Sequence, residues 1–195
     1  MQAFHNDEKI KAKYLSRVRA HAAADEIIHG WYWENGKGCA VGCTVHSDQH
    51  RAYESELGIP VMLARLEDRL FEGLPNGESK LFPERFLNCI PVGADLSRVG
   101  WQFLYWLLTE ELVGRDDPRV AKQIRACADV LLPLVKGAPV DREAALQAHR
   151  VAHAAAAHAA DAAAAAYAAA ARSKAYERMA NKLIELMSQA SVTAS

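Results

Sequence analysis

The chain has 195 residues, of which 51% are hydrophobic and 24% charged, and its 23 basic and 24 acidic side chains leave a formal net charge of -1. This length is enough to bury a substantial core without disulfides or metal ions. The near-neutral balance excludes a generally basic nucleic-acid-binding protein, and an acidic disordered chain, as descriptions of the whole sequence.

Residues 1–14 are polar and lack the apolar centre of a secretory signal. No stretch of 18 residues is apolar enough to cross a bilayer. We therefore expect no membrane partner and a cytoplasmic location. In that reducing compartment the four cysteines at positions 39, 43, 89 and 127 are expected to be thiols or metal ligands.

Apolar residues recur at helical spacing along the first part of the chain, which predicts a series of helices. The first helix has Asn6 or Asp7 as its cap and ends at Gly30. The dipeptide Asn35-Gly36 then predicts a short β-hairpin.

Glycine and proline delimit the helices that follow. A helix capped by Ser47 ends at Gly58, and the next begins at Pro60 and ends at Gly73. The later helices begin at Pro83, near Asp95 and at Pro118, and end at Pro91, Gly114 and Pro133 respectively. These elements predict an all-α, multi-helical globular domain over residues 1–138, with one irregular loop.

The composition changes after Pro139, and no glycine or proline occurs from Asp141 onward. Alanine fills 17 of the 24 positions from 148 to 171, and alanine has the highest helix propensity. Residues 139–195 are therefore predicted to form a long alanine-rich helix, or a helical hairpin if the helix breaks. Since small side chains let helices approach closely, we expect this segment to form a homo-oligomer. The alternative is that the tail folds back on its own domain.

The loop after the hairpin contains Cys39, Cys43, His46 and His50, which are the ligand types of a structural zinc site. Their spacing is not typical, because one continuous helix would separate the first and last by about 16 Å. A single zinc site would require a break within this segment. Two interpretations stay open, a zinc site formed by these four residues, or no cofactor, with the cysteines packed as small apolar side chains.

The same loop also supports a nucleophilic interpretation. Cys39 follows Gly-Lys-Gly, and backbone amides at the start of a helix stabilise a thiolate. His46 or His50 would then act as the base. A small metal- or thiol-dependent enzyme that uses Cys39, His46 and His50 is therefore the alternative function.

Carboxylates follow this loop at Glu67, Asp68 and Glu72, and they could complete a metal or acid–base site. A cluster of this kind is also typical of a solvated helix face. Two groups of aromatic residues could line a ligand pocket. The first group is Trp31 and Trp33, and the second is Trp101, Tyr105 and Trp106. Packing in the core explains the second group equally well.

Basic residues recur every fourth position of the first helix at Lys9, Lys13 and Arg17. No aromatic residues interleave with them, and phosphate binding usually involves a broader positive field. We expect this strip to be solvated and the chain to have no nucleic-acid partner.

Four runs of sequence, together with the alanine-rich tail, resemble a group of bacteriophage and prophage proteins with no assigned activity. The runs are GCAVGCTVH at 38–46, YESELGIP at 53–60, LARLEDRLFEGL at 63–74 and PVGADL at 91–96. This resemblance covers most of the chain and implies a phage or mobile-element context in a bacterial host cell. The leading hypothesis is a non-enzymatic interaction protein that self-associates through its alanine-rich helix and binds an unidentified protein partner.

Overall fold

The computed structural model describes residues 1–111, 118–139, 143, 146 and 169–192. These residues are predominantly helical and include a short antiparallel pair of strands. The predicted helical character is confirmed for them, whereas most of the alanine-rich tract lies outside the described residues. Within the described ranges, no helix combines the length and the apolar character needed to span a membrane.

The helices and strands are named in chain order. The helices are α1 (Glu8–Ala23), α2 (Ala40–Val45), α3 (Ala52–Leu57), α4 (Val61–Gly73), α5 (Asn76–Cys89), α6 (Val99–Trp106), α7 (Pro118–Val135) and α8 (Ala169–Ser188). The strands are β1 (Trp33–Glu34) and β2 (Lys37–Gly38). A 3-10 turn at Ala3–Asn6 precedes α1, and a π-helical turn at Leu107–Glu111 follows α6.

The chain groups into two compact units. The first combines Met1–Gly100 with Tyr176–Ser195, and the second is Trp101–Ala175. The C-terminal end of the tail therefore belongs to the same unit as the first 100 residues. The predicted boundary at residue 138 stays a prediction, since most of the residues that follow it, up to 168, lie outside the described ranges.

Local signals explain the start of α1 and the hairpin. The Asp7 carboxylate accepts the backbone N–H of Lys9 at 2.8 Å, which confirms the predicted cap. The helix ends at Ala23 because the chain turns at Asp25, whose φ is 57°, so the predicted end at Gly30 was wrong. Asn35-Gly36 makes the predicted hairpin turn, with the φ values of 51° and 82° that a tight two-residue turn requires.

The corner between α3 and α4 is partly as predicted. Gly58 ends α3 in the left-handed region with a φ of 62°, and Pro60 directly precedes α4. Ser47 does not cap α3, because its hydroxyl accepts the N–H of Gln49 at 3.1 Å within a turn, and α3 begins at Ala52.

Two prolines that were predicted to delimit helices lie inside them. Pro83 is within α5 and Pro133 is within α7. An internal proline removes one backbone hydrogen bond. In α5 the neighbouring side chains of Phe82 and Phe86 are fully buried, and their packing stabilises the helix across the proline. The predicted start at Pro83 and end at Pro133 were therefore wrong.

The C-terminal helix completes the core of the first unit. Leu183 and Met187 are fully buried, and the Tyr176 ring lies so close to Gly73 that a Cβ there would be 2.0 Å from the ring. These apolar side chains at the end of the tail are thus covered within the first unit of their own chain.

Replacement of Leu183 by alanine is expected to lower the free energy of unfolding by about 2–5 kcal/mol, because it leaves a cavity in the core. Leu81→Ala is the matched control, since that side chain is 54% exposed and its loss should change stability by less than about 0.5 kcal/mol. Urea denaturation of both variants measures the difference. Equal stabilities would contradict the assignment of α8 to the core.

Candidate functional site

Helix α2 carries three of the four Cys/His residues identified in the sequence. Cys39 immediately precedes its first turn, Cys43 lies within it, and His46 ends it with a left-handed φ of 55°. The N–H of Cys43 donates to the Cys39 carbonyl at 2.9 Å, so the two cysteines are one helical turn apart. All six residues of the helix are buried, which makes α2 the centre of this region.

The two thiols have different partners. Cys43 Sγ donates to the carbonyl oxygens of Gly38 at 3.4 Å and Glu26 at 3.6 Å. Cys39 instead lies near Asp68 of α4, and the charge of that carboxylate acts on its thiol. The two sulfur atoms therefore belong to separate environments.

Burial raises the pKa of both thiols. Desolvation raises the pKa of Cys43 to about 12. For Cys39, desolvation also raises the pKa and the charge of Asp68 adds to the effect, while the N–H groups of Gly42 and Val41 oppose it without cancelling it. A thiol that stays protonated at neutral pH is a weak nucleophile, so the arrangement does not favour Cys39 as a catalytic nucleophile.

His46 belongs to a second cluster, which joins α1, α2 and the hairpin. Its Nε2 lies 2.8 Å from Nε2 of His21, whose Nδ1 lies 2.6 Å from the Glu26 carboxylate. The Trp33 ring stacks on His46 at 4.4 Å between centroids. Desolvation, followed by the charges of Arg17 and His21, lowers the pKa of His46 and favours its neutral form. This cluster fastens strand β1 to the end of α2.

His50 lies between α2 and α3 and faces α4. Its Nε2 is 3.3 Å from Asp68 Oδ2, and its ring lies edge-on to the Tyr32 ring at 6.1 Å. His50 thus contacts Asp68 and Cys39 lies near it, whereas the hydrogen bonds of Cys43 and His46 are with other residues.

Among the described residues, no group of three or more His, Cys, Asp or Glu side chains is arranged to hold a metal ion. The four residues of the Cys/His pattern all lie within the described ranges and are divided among three environments. Whether the protein binds zinc or no cofactor stays a prediction, and metal analysis of the purified protein would test it.

A buried carboxyl group lies next to Asp68 on α4. The Tyr53 hydroxyl donates to Glu67 Oε2 at 2.7 Å, and both side chains are fully buried. Desolvation raises the pKa of Glu67 to about 8, with a further contribution from Asp68, while the hydrogen bond from Tyr53 opposes the shift. Glu67 therefore keeps its proton at neutral pH, and this part of α4 is not the solvated face that carboxylate clusters usually form.

Residues 31–33, which we term the aromatic loop, bring large side chains to the surface. Trp31 is 58% exposed and Tyr32 is 55% exposed. A depression of about 420 Å³ is lined by Trp31, Tyr32, Trp33, Glu34, Ser47 and Asp48. A smaller pocket of about 160 Å³ is lined by Gly30, Trp31, Tyr32, Cys39, Asp68 and Glu72. Both cavities thus combine aromatic and acidic side chains, and none of the lining residues that the structure describes is basic.

Close backbone packing fixes the aromatic loop against α2. A Cβ would lie 1.6 Å from the Tyr32 carbonyl oxygen if added at Gly42 and 2.2 Å from it at Gly38. The Cys39 N–H also donates to the Trp31 carbonyl at 2.6 Å. The glycines that flank Cys-Ala-Val in the sequence are therefore required for this contact.

No protein-family model, curated protein or solved structure matches the chain at a significant level. The functional interpretation therefore depends on the residues and their geometry. The sequence pointed to Trp31 and Trp33 as pocket residues, but it did not point to Tyr32, which lines both cavities. The available signal for Tyr32 was its place within a run of three aromatic residues, which ends one residue before the Asn35-Gly36 turn.

The raised pKa of Glu67 predicts that the contribution of this residue to stability falls as the pH rises from about 4.5 to 8. Over this range the unfolded chain has lost the Glu67 proton and the folded chain still holds it, so raising the pH favours unfolding. Glu67→Gln keeps an oxygen for Tyr53 but cannot titrate, and it should flatten the profile. Urea denaturation between pH 5 and 8 measures both slopes, with the exposed Glu8→Gln as control. Parallel profiles for wild type and Glu67→Gln would contradict the buried-acid assignment.

Proposed function

We propose that the protein is a non-enzymatic interaction protein that binds a partner protein through the aromatic loop and its two cavities. The observation that carries this proposal is the exposure of Trp31 and Tyr32, each more than half accessible on adjacent positions. Tryptophan and tyrosine are enriched among the residues that contribute most to binding at protein interfaces. Exposed side chains of this size therefore support a recognition surface.

The fixed backbone beneath these side chains also supports the proposal. The loop packs against Gly38 and Gly42, and Trp33 is held by the His46 ring. Because little of the loop has to become ordered on binding, little conformational entropy is lost. A rigid loop with outward-facing aromatic rings is suited to binding.

The thiol-dependent alternative has less support. Burial raises the pKa of Cys39 and Cys43, and both thiols are almost inaccessible to solvent. A buried, protonated thiol serves packing better than catalysis.

We place the partner in a phage or prophage context in the bacterial cytoplasm, on the basis of the sequence resemblance, and we propose no nucleic-acid partner. Two residues of the basic strip support the latter point through contacts within the protein. Arg17 donates to the Thr44 carbonyl at 2.8 Å, and Lys13 donates to the Tyr14 hydroxyl at 3.4 Å. These contacts leave less of the strip's charge available for phosphate.

A photo-crosslinking phenylalanine analogue in place of Trp31 tests the surface in the full chain. We expect it to trap a specific protein that the same analogue at Leu81, a comparably exposed apolar position, does not trap. The trapped protein, once purified, should bind the wild type, and Trp31→Ala combined with Tyr32→Ala should weaken that binding at least tenfold, which is about 1.4 kcal/mol or more. Unchanged affinity of the double variant would contradict the proposal.

We also propose that the alanine-rich segment mediates self-association, since its small side chains permit close helix packing. Light scattering on the full chain should then give a dimer or larger oligomer. Because the end of α8 belongs to the first unit, the matched variant keeps it and replaces residues 148–168 by Gly-Ser repeats of equal length. That variant should be monomeric with an unchanged melting temperature. A monomeric full chain would contradict self-association.

A further inference from the structure

We infer that the smaller pocket, between the aromatic loop and α4, binds an arginine side chain of the protein partner. This inference rests on the proposed function and specifies the chemistry that the partner must present. The pocket has a volume of about 160 Å³. Trp31 and Tyr32 line it on the loop side, and Asp68 and Glu72 line it on the side of α4.

The charge of the pocket favours a cation. Asp68 and Glu72 are acidic, and the adjacent depression adds Glu34 and Asp48, whereas no lysine or arginine of the described ranges lines either cavity. The carboxylates that line the pocket would attract a cationic group, and partial exclusion of water would strengthen the attraction. An acidic partner would be repelled.

Asp68 is the carboxylate best placed to attract that cation. Its Oδ2 lies 3.3 Å from His50 Nε2, while its Oδ1 is buried and has no hydrogen-bond partner among the described residues. Its side chain is 17% exposed, so the carboxylate is partly removed from water. Hydrogen bonds therefore satisfy this carboxylate only in part within the protein, and a nearby cation would stabilise it.

Glu72 has a different part in the pocket. Both of its carboxylate oxygens accept the N–H of Gly30, at 3.0 and 3.1 Å. These hydrogen bonds hold the start of the aromatic loop close to α4. They also position the Glu72 carboxylate at the pocket. Since Glu72 is exposed, solvent screens much of its attraction, and Asp68 contributes the larger share.

The aromatic side chains favour arginine over lysine. A guanidinium group is planar and weakly hydrated, and it stacks on aromatic faces such as those of Trp31 and Tyr32. A lysine ammonium is a strongly hydrated point charge, and entry into a narrow pocket would remove more of its hydration. An arginine side chain thus matches both the rings and the carboxylates.

Nuclear magnetic resonance titration of the full chain tests this inference with three blocked tripeptides, Gly-Arg-Gly and its lysine and citrulline counterparts. Citrulline has the shape of arginine without its charge. We expect the arginine peptide to shift the Trp31 indole signal and to bind at least fivefold more tightly than the citrulline peptide, with the lysine peptide in between. Equal binding of the arginine and citrulline peptides would overturn the inference.

Variants then locate the binding site. Trp31→Ala and Asp68→Asn should each weaken binding of the arginine peptide at least fivefold, as followed by backbone N–H signals. Glu8→Gln removes the same charge from an exposed position on α1 and should leave binding unchanged. If Asp68→Asn does not fold, Trp31→Ala still decides the test, because that side chain is 58% exposed and outside the core. Full binding by Trp31→Ala would overturn the inference.

The two proposals can fail separately. If a partner is trapped at Trp31 but the peptide titration shows no preference for arginine, the proposed interaction surface stands and the arginine pocket is overturned. Arginine selectivity without a trapped protein would overturn the proposed function, and with it the assignment of a protein as the source of the guanidinium group.

Discussion

The close contact between α2 and the aromatic loop determines the character of this surface. Gly42 lies so near the Tyr32 carbonyl that a Cβ would be 1.6 Å from the oxygen, so the two backbones pack directly on each other. Helix α2 is consequently buried along its whole length, together with both cysteines. The rings of Trp31 and Tyr32 remain on the outer side of the loop. The steric requirement for glycine at Gly38 and Gly42 thus accounts for both the buried thiols and the exposed aromatic residues.

Burial, rather than residue type, decides which ionisable groups can act on a ligand here. Glu67 and Asp68 are neighbours on α4, but Glu67 points into the core, where desolvation raises its pKa to about 8. Asp68 lies at a pocket wall and pairs with His50. The first residue lies in the core as a neutral acid, and the second provides negative charge at the surface. Neutralisation of Glu67 also avoids two adjacent charges beneath the loop.

Two signals that act within a few residues were predictable from the sequence. The Asp7 cap and the Asn35-Gly36 turn depend on local hydrogen bonds and backbone angles, and both were predicted correctly. Pro83 was misplaced because distant packing stabilises the helix around it. The contact between His21 and His46 spans 25 positions and has no sequence pattern, so it could not be predicted. Most contacts of the candidate site likewise join residues that are far apart in the sequence.

The alanine tract connects parts of the chain that do not depend on it for their core. Residues of the first unit come from Met1–Gly100 and from Tyr176 onward, and the buried side chains of α8 complete that core. The entropy required to bring the two ends of a connection together grows only with the logarithm of its length. Changes in the length of the tract should therefore affect the stability of the first unit little. The core of the first unit therefore constrains the sequence of α8, whose buried side chains complete it, more than it constrains the alanine tract.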